Sequence, residues 1–151
     1  MPVVSRSRSI PALPERIWTT VSDPEHLPRW WPGVARVEDA SRHAWTAVLT
    51  GKQGRALRAD YSLLDSDHPR KLSWRHEVDE TPFERILRES TTELAMEPEG
   101  PGATRVTLTA RLSPRGISRL GSVQIRLATR KQLEGALDGL EELARGWGET
   151  E

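Results

Sequence analysis

From Val34 to Leu112 the chain alternates apolar and polar residues with period two, and from Leu120 to Trp147 it changes to helical spacing without a single proline. That switch constrains the fold more than any other feature. Leu57, Ala59, Tyr61 and Leu63 alternate with Ala56, Arg58, Asp60 and Ser62; Leu72, Trp74, His76 and Val78 alternate with Ser73, Arg75 and Glu77. Each reads as a strand with one buried face. Gly51–Gly54, Asp65–Pro69, Glu80–Pro82 and Glu97–Gly102 supply the intervening turns. Short strands joined by tight turns pair antiparallel, with one face left to water. Val34–Asp39, Trp45–Thr50, Phe83–Glu97 and Thr104–Leu112 complete this series, and Val3–Ile10 adds an edge strand closed by Pro11. The expected total is about seven strands of ordinary length.

The other face of such a sheet needs a cover. Leu120, Val123, Leu127, Leu133, Leu137, Leu140, Ala144 and Trp147 recur at helical spacing as one apolar stripe. This predicts one long amphipathic helix from about Ile117 to Trp147. Two shorter helices follow the first strand. Pro14 suits a first helical turn, with Ile17, Trp18 and Val21 on one stripe; Asp23 suits an N-cap, Pro24 the first turn, and Leu27, Trp30 and Trp31 an apolar face. Pro32 and Gly33 stop that helix. No repeat or linker interrupts the order, so residues 1–151 read as one α+β domain.

Composition removes several classes of function. Twenty-two basic against 22 acidic residues leave no net positive charge for tracking phosphates, so nucleic acid is not an expected partner. The chain has no cysteine, which excludes thiolate chemistry and disulfides and fits a reducing cytoplasm. Neither a signal-peptide core nor a membrane span is visible, so a cytoplasmic protein without integral membrane association is expected. Arginine greatly outnumbers lysine, which fits a GC-rich bacterial genome. His26, His43, His68 and His76 stand in different elements without ligand spacing, so neither a metal nor a cofactor is expected. Thr50–Gly54, TGKQG, lacks most of a phosphate loop and reads as a hairpin turn. Arg126, Arg130 and Lys131 precede Glu134, Asp138, Glu141 and Glu142, the pattern of a solvated helix face with i,i+4 ion pairs.

The stretch Ile10–Val34, IPALPERIWTTVSDPEHLPRWWPGV, resembles the opening of the SRPBCC or START-like superfamily, which includes polyketide cyclase/dehydrase and lipid-transport proteins. Pro98–Leu112, PEGPGATRVTLTARL, is similar to that superfamily's penultimate turn and last strand, and the resemblance extends over essentially the whole chain. It implies a helix-grip fold, in which a curved antiparallel sheet wraps the long helix around an apolar cavity. Trp30 and Trp31 then either fill core volume or border the cavity entrance, at least one of them being simply core.

Strand parity nominates the cavity residues. Leu57, Tyr61, Trp74, His76, Arg88, Ser90 and Leu108 point to the concave face and meet Leu120, Val123 and Leu127 of the helix. Arg88 has two readings. Pointing inward, it needs a ligand carboxylate or carbonyl, or an internal acid such as Glu15 or Asp60; a one-residue bulge would instead carry it to solvent. His76 is a packed histidine or an acid/base, and Tyr61 a core group or a hydroxyl that orients a carbonyl. Three functions remain open. The cavity could bind or carry a hydrophobic small molecule, the reading preferred here. It could fold a poly-β-ketone for aromatase/cyclase chemistry, with Arg88 stabilising an enolate oxygen and His76 or Tyr61 moving the proton. Or it could be vestigial in a protein-interaction module, which should show an exposed apolar patch.

Overall fold

A computed structural model describes residues 3–51, 54–78, 87–114 and 119–148. Strands β1 (Val3–Ile10), β2 (Val34–Glu38), β3 (Ala44–Thr50), β4 (Ala56–Asp67), β5 (Lys71–Glu77), β6 (Leu87–Pro98) and β7 (Thr104–Pro114) form one antiparallel sheet in the order β1-β7-β6-β5-β4-β3-β2. Helices α1 (Pro14–Val21) and α2 (Leu27–Trp30), linked by a single 3₁₀ turn at Pro24–His26, follow β1, and helix α3 (Arg119–Gly148) ends the chain. This is the helix-grip α+β fold. The predicted α3 start at Ile117, the strand residues Phe83–Ile86, the Glu80–Pro82 turn, and Lys52 and Gln53 of TGKQG lie outside the described residues.

The short helices form for the expected local reasons. Asp23 is extended and its carboxylate accepts the Glu25 amide at 3.0 Å, with Pro24 in the first position, where no N–H is needed. After Trp31 and Pro32, Gly33 takes φ +82°, a left-handed conformation that a side chain would strain, and the chain turns into β2.

Strand bulges bend the sheet. Register shifts fall between Val34 and Arg36, Leu63 and Asp65, and Leu87 and Glu89, each adding local twist to its strand. The second shift corrects the expected turn at Asp65–Pro69. Because Leu64 is accommodated as an extra residue, pairing resumes at Asp65↔Ser73 and continues to Asp67↔Lys71, so only the last part of that segment turns.

The core lies between the sheet and the second half of α3. Leu133, Ala136, Leu137 and Leu140 are almost fully buried against Ile10, Ile17, Leu94, Val106 and Leu108. Gly139 permits the closest approach, since a Cβ there would stand 2.4 Å from the Trp30 carbonyl oxygen. The acids of α3 do not pair with Arg126, Arg130 and Lys131 as expected. Arg8 of β1 reaches Glu134, Asp138 and Glu141, and Arg6 also reaches Glu134. The strand β1 lies alongside α3, and its arginines take these partners across the interface; the i,i+4 pair on α3 among the described residues is Glu141–Arg145.

Candidate functional site

Two chambers share a wall of Leu27, Trp45 and Trp74. The inner chamber, about 340 Å³, lies between the sheet and the first half of α3. Strand β3 contributes Trp45, Ala47 and Leu49, β4 Tyr61, β5 Trp74 and His76, β6 Ser90 and Thr92, and β7 Leu112; α3 contributes Ile125, Ala128, Thr129 and Gln132. No charged side chain lines it among the described residues. The outer chamber, about 360 Å³, lies between the short helices and the opposite ends of β3, β4 and β5.

Antiparallel register builds the inner wall. Trp45 pairs with Tyr61, and Tyr61 with His76, which puts three rings side by side on one face. Trp45 and Tyr61 are stacked with centroids 5.9 Å apart, and Tyr61 and His76 at 4.8 Å. Trp31 of the α2 C-terminus meets Trp74 edge to face at 5.9 Å. Burial pushes the Tyr61 phenol up to about 12, so its hydroxyl stays protonated at neutral pH. Burial also lowers the His76 pKa, against the weaker raising effects of Asp60 and Glu77, which favours the neutral imidazole. The chamber therefore offers neutral groups able to donate and accept hydrogen bonds, set into an aromatic and aliphatic wall.

Of the residues nominated by parity, Tyr61, Trp74, His76 and Ser90 meet in this chamber; of the two tryptophans of the opening stretch, Trp31 joins them and Trp30 lines the outer chamber while also belonging to the core. Others fall elsewhere. Leu108 is wholly buried in the core and Leu57 is partly exposed near the start of β4; neither lines a chamber. Val123 and Leu127 are 51% and 56% exposed, on the outer face of α3. The six-residue gap between Leu127 and Leu133 puts them about 120° apart around a helix, so the stripe could not hold one phase across it. Ile125 and Thr129, both partly buried, line the chamber instead, with the exposed Ala128 and Gln132 at its border. The side chain of Leu120 is outside the described residues. So is that of Arg88, whose backbone lies within the β6 register shift. Of the acids named as its partners, Glu15 contacts His68 at 2.9 Å and Asp60 accepts the Thr46 hydroxyl at 2.6 Å.

Trp45, Ala47, Leu49 and Leu112 are not among the residues nominated from the sequence, whereas Thr92 shares the inward parity of Ser90. Alternation in β3 was the available signal. Among the described residues, no group of three or more histidine, aspartate or glutamate side chains is arranged to hold a metal, and no helix is long and apolar enough to cross a membrane.

A curved sheet gripping a long helix around an internal chamber defines the START/SRPBCC class. The chain belongs to the polyketide cyclase / dehydrase and lipid transport family, whose profile matches residues 1–145. Among solved structures it is similar to a START superfamily protein from Mycobacterium smegmatis, with 15% identity over 96% of this chain and 98% of that one, at a TM-score of 0.77. It is also similar to the protein XoxI from Bacillus cereus, with 14% identity, 95% of each chain and a TM-score of 0.77. The di-domain ARO/CYC BexL from the BE-7585A biosynthetic pathway matches at 19% identity over 94% of this chain and 46% of that one, with a TM-score of 0.79. Comparison with curated proteins gives no match.

Proposed function

We propose that the protein binds or carries a hydrophobic small molecule, lipid-like or polyketide-like, in the inner chamber. The observation that carries this reading is the lining itself: a chamber of about 340 Å³ with aromatic and aliphatic walls and no charged residue among those described. Such a site excludes water from an apolar body and fixes its orientation through a few polar groups. Membership of a family described by polyketide cyclisation and lipid transport supports that ligand class.

A second reading, aromatase/cyclase activity, draws on one specific feature. Tyr61, His76, Ser90, Thr92, Thr129 and Gln132 converge on the same chamber. A neutral imidazole could take a proton from a carbon flanked by carbonyls, and hydroxyl donors could stabilise the enolate oxygen. Closure on a second carbonyl would form the carbon–carbon bond of an aldol, with the proton returned to the new alkoxide.

Native mass spectrometry of freshly purified protein, looking for a co-purifying small molecule, tests the binding reading, together with titration by fatty acids and aromatic polyketides. Thr129→Trp should fill the chamber and abolish binding of the ligand so found. Equal binding by that variant and the parent would overturn the assignment. Turnover of a poly-β-ketone by the parent, lost in His76→Phe while binding persists, would select the cyclase reading.

A further inference from the structure

We infer that the outer chamber is a second ligand site, for a flat apolar molecule bearing a carboxylate or comparable delocalised oxyanion. Its wall carries Trp18, Trp30, Trp45 and Trp74, four of the chain's six tryptophans. Large rigid rings provide extensive surface for a planar occupant at little conformational cost. The charge is one-sided as well: Arg42 lines the chamber and, among the described residues, no aspartate or glutamate does.

Arg42 differs from its neighbours on the sheet. Arg36 and Arg58 are held by Glu38, Arg70 by Asp67 and Arg75 by Glu77, whereas Arg42 has no ion pair among the described residues. The turn that carries it is fixed. Ser41 donates its amide to the Ala44 carbonyl at 2.8 Å, and its hydroxyl oxygen accepts the amides of His43 and Ala44 at 3.3 and 3.1 Å. An exposed guanidinium is thus mounted on an ordered turn at the edge of an aromatic chamber. Its planar fork suits a carboxylate, which it can hold through two parallel hydrogen bonds.

The inner chamber has no charged residue among those described, so the two chambers select different chemistry across their shared partition. The inference does not require the inner chamber to bind anything.

The test is calorimetric titration of the intact chain with 2-naphthoate and, separately, its methyl ester. The parent should bind the anion more tightly than the ester. Arg42→Gln, an exposed turn substitution, should weaken naphthoate about tenfold, the effect of one charge-assisted hydrogen bond, and leave the ester unchanged. Arg42→Glu should reverse the preference. Ser66→Trp, which fills the outer chamber alone, should abolish naphthoate binding, whereas Thr129→Trp in the inner chamber should not affect it; circular dichroism checks that each variant is folded. The inference is overturned if the parent does not prefer the anion, if both Arg42 variants bind it like the parent, or if Thr129→Trp rather than Ser66→Trp removes it. That last result would place the anion in the inner chamber.

Discussion

The phenol ring of Tyr61 lies over the imidazole of His76, with centroids 4.8 Å apart and planes inclined by 25°. Antiparallel pairing of β4 with β5 makes them cross-strand neighbours, and their shared burial moves each group toward its neutral form. The consequences for pH run in opposite directions.

For His76 the folded pKa is below the unfolded one, so the unfolded chain takes up the proton first as pH falls. The contribution of neutral His76 is fully present above about pH 6.5 and is lost below it, toward the lowered folded value. Thermal melts between pH 7.5 and 5 should show a falling Tm that is flatter in His76→Phe. Identical slopes in the two proteins would show that His76 does not titrate with unfolding.

Tyr61 is the only tyrosine, so absorbance near 295 nm reports it alone. No step should occur near pH 10 while the fold persists, because the buried phenol ionises at about 12. Stability should fall above about pH 10, where the unfolded phenol ionises first. A step at pH 10 with unchanged circular dichroism would place the hydroxyl in water.

Trp30 and Trp31 are neighbours with different roles. Trp30 is 3% exposed in the core, whereas Trp31 is half-buried and borders the inner chamber. Trp30→Ala should cost about 3–5 kcal/mol, and Trp31→Ala about 1–2 kcal/mol for its smaller buried area. Chemical denaturation separates the two. Equal losses would contradict the division of labour.

Gly139→Ala tests the contact between α2 and α3. The added Cβ would meet the Trp30 carbonyl oxygen at 2.4 Å, so the helices must separate at a cost of about 1–3 kcal/mol. Gly146, where an added methyl would meet no atom within 4 Å, is the control: Gly146→Ala should stabilise by up to about 1 kcal/mol through helix propensity. Thermal or chemical denaturation of both variants reads the difference, and equal effects at the two positions would remove the close approach at Gly139.

Arg8→Ala should leave Glu134, Asp138 and Glu141 close together without their shared cation. The loss should be about 1 kcal/mol at low salt, since these groups are partly exposed. It should shrink in high salt. A loss independent of salt would assign Arg8 a packing role.

The sequence by itself determined the order of the elements and the alternation at the centre of β4 and β5. Alternation through Ala59–Leu63 and Leu72–His76, the Asp23-Pro24 start and the Pro32-Gly33 stop depend on forces acting over a few residues, and these survive unchanged in the fold. The resemblance of Ile10–Val34 supplied the grip arrangement, and Tyr61, Trp74, His76 and Ser90, which parity assigns to the concave face, line one chamber. Tertiary structure decided the rest. Only packing fixes the phase of α3 across the Leu127–Leu133 gap, and it sets Ile125 and Thr129 against the chamber while leaving Val123 and Leu127 in water. Only the strand order brings Arg8 to acids more than a hundred residues away, overriding the local i,i+4 pattern. The division into two chambers belongs to neither strand nor helix: Leu27, Trp45 and Trp74 come from three separate elements, and a shared wall exists only once long-range contacts have placed all three.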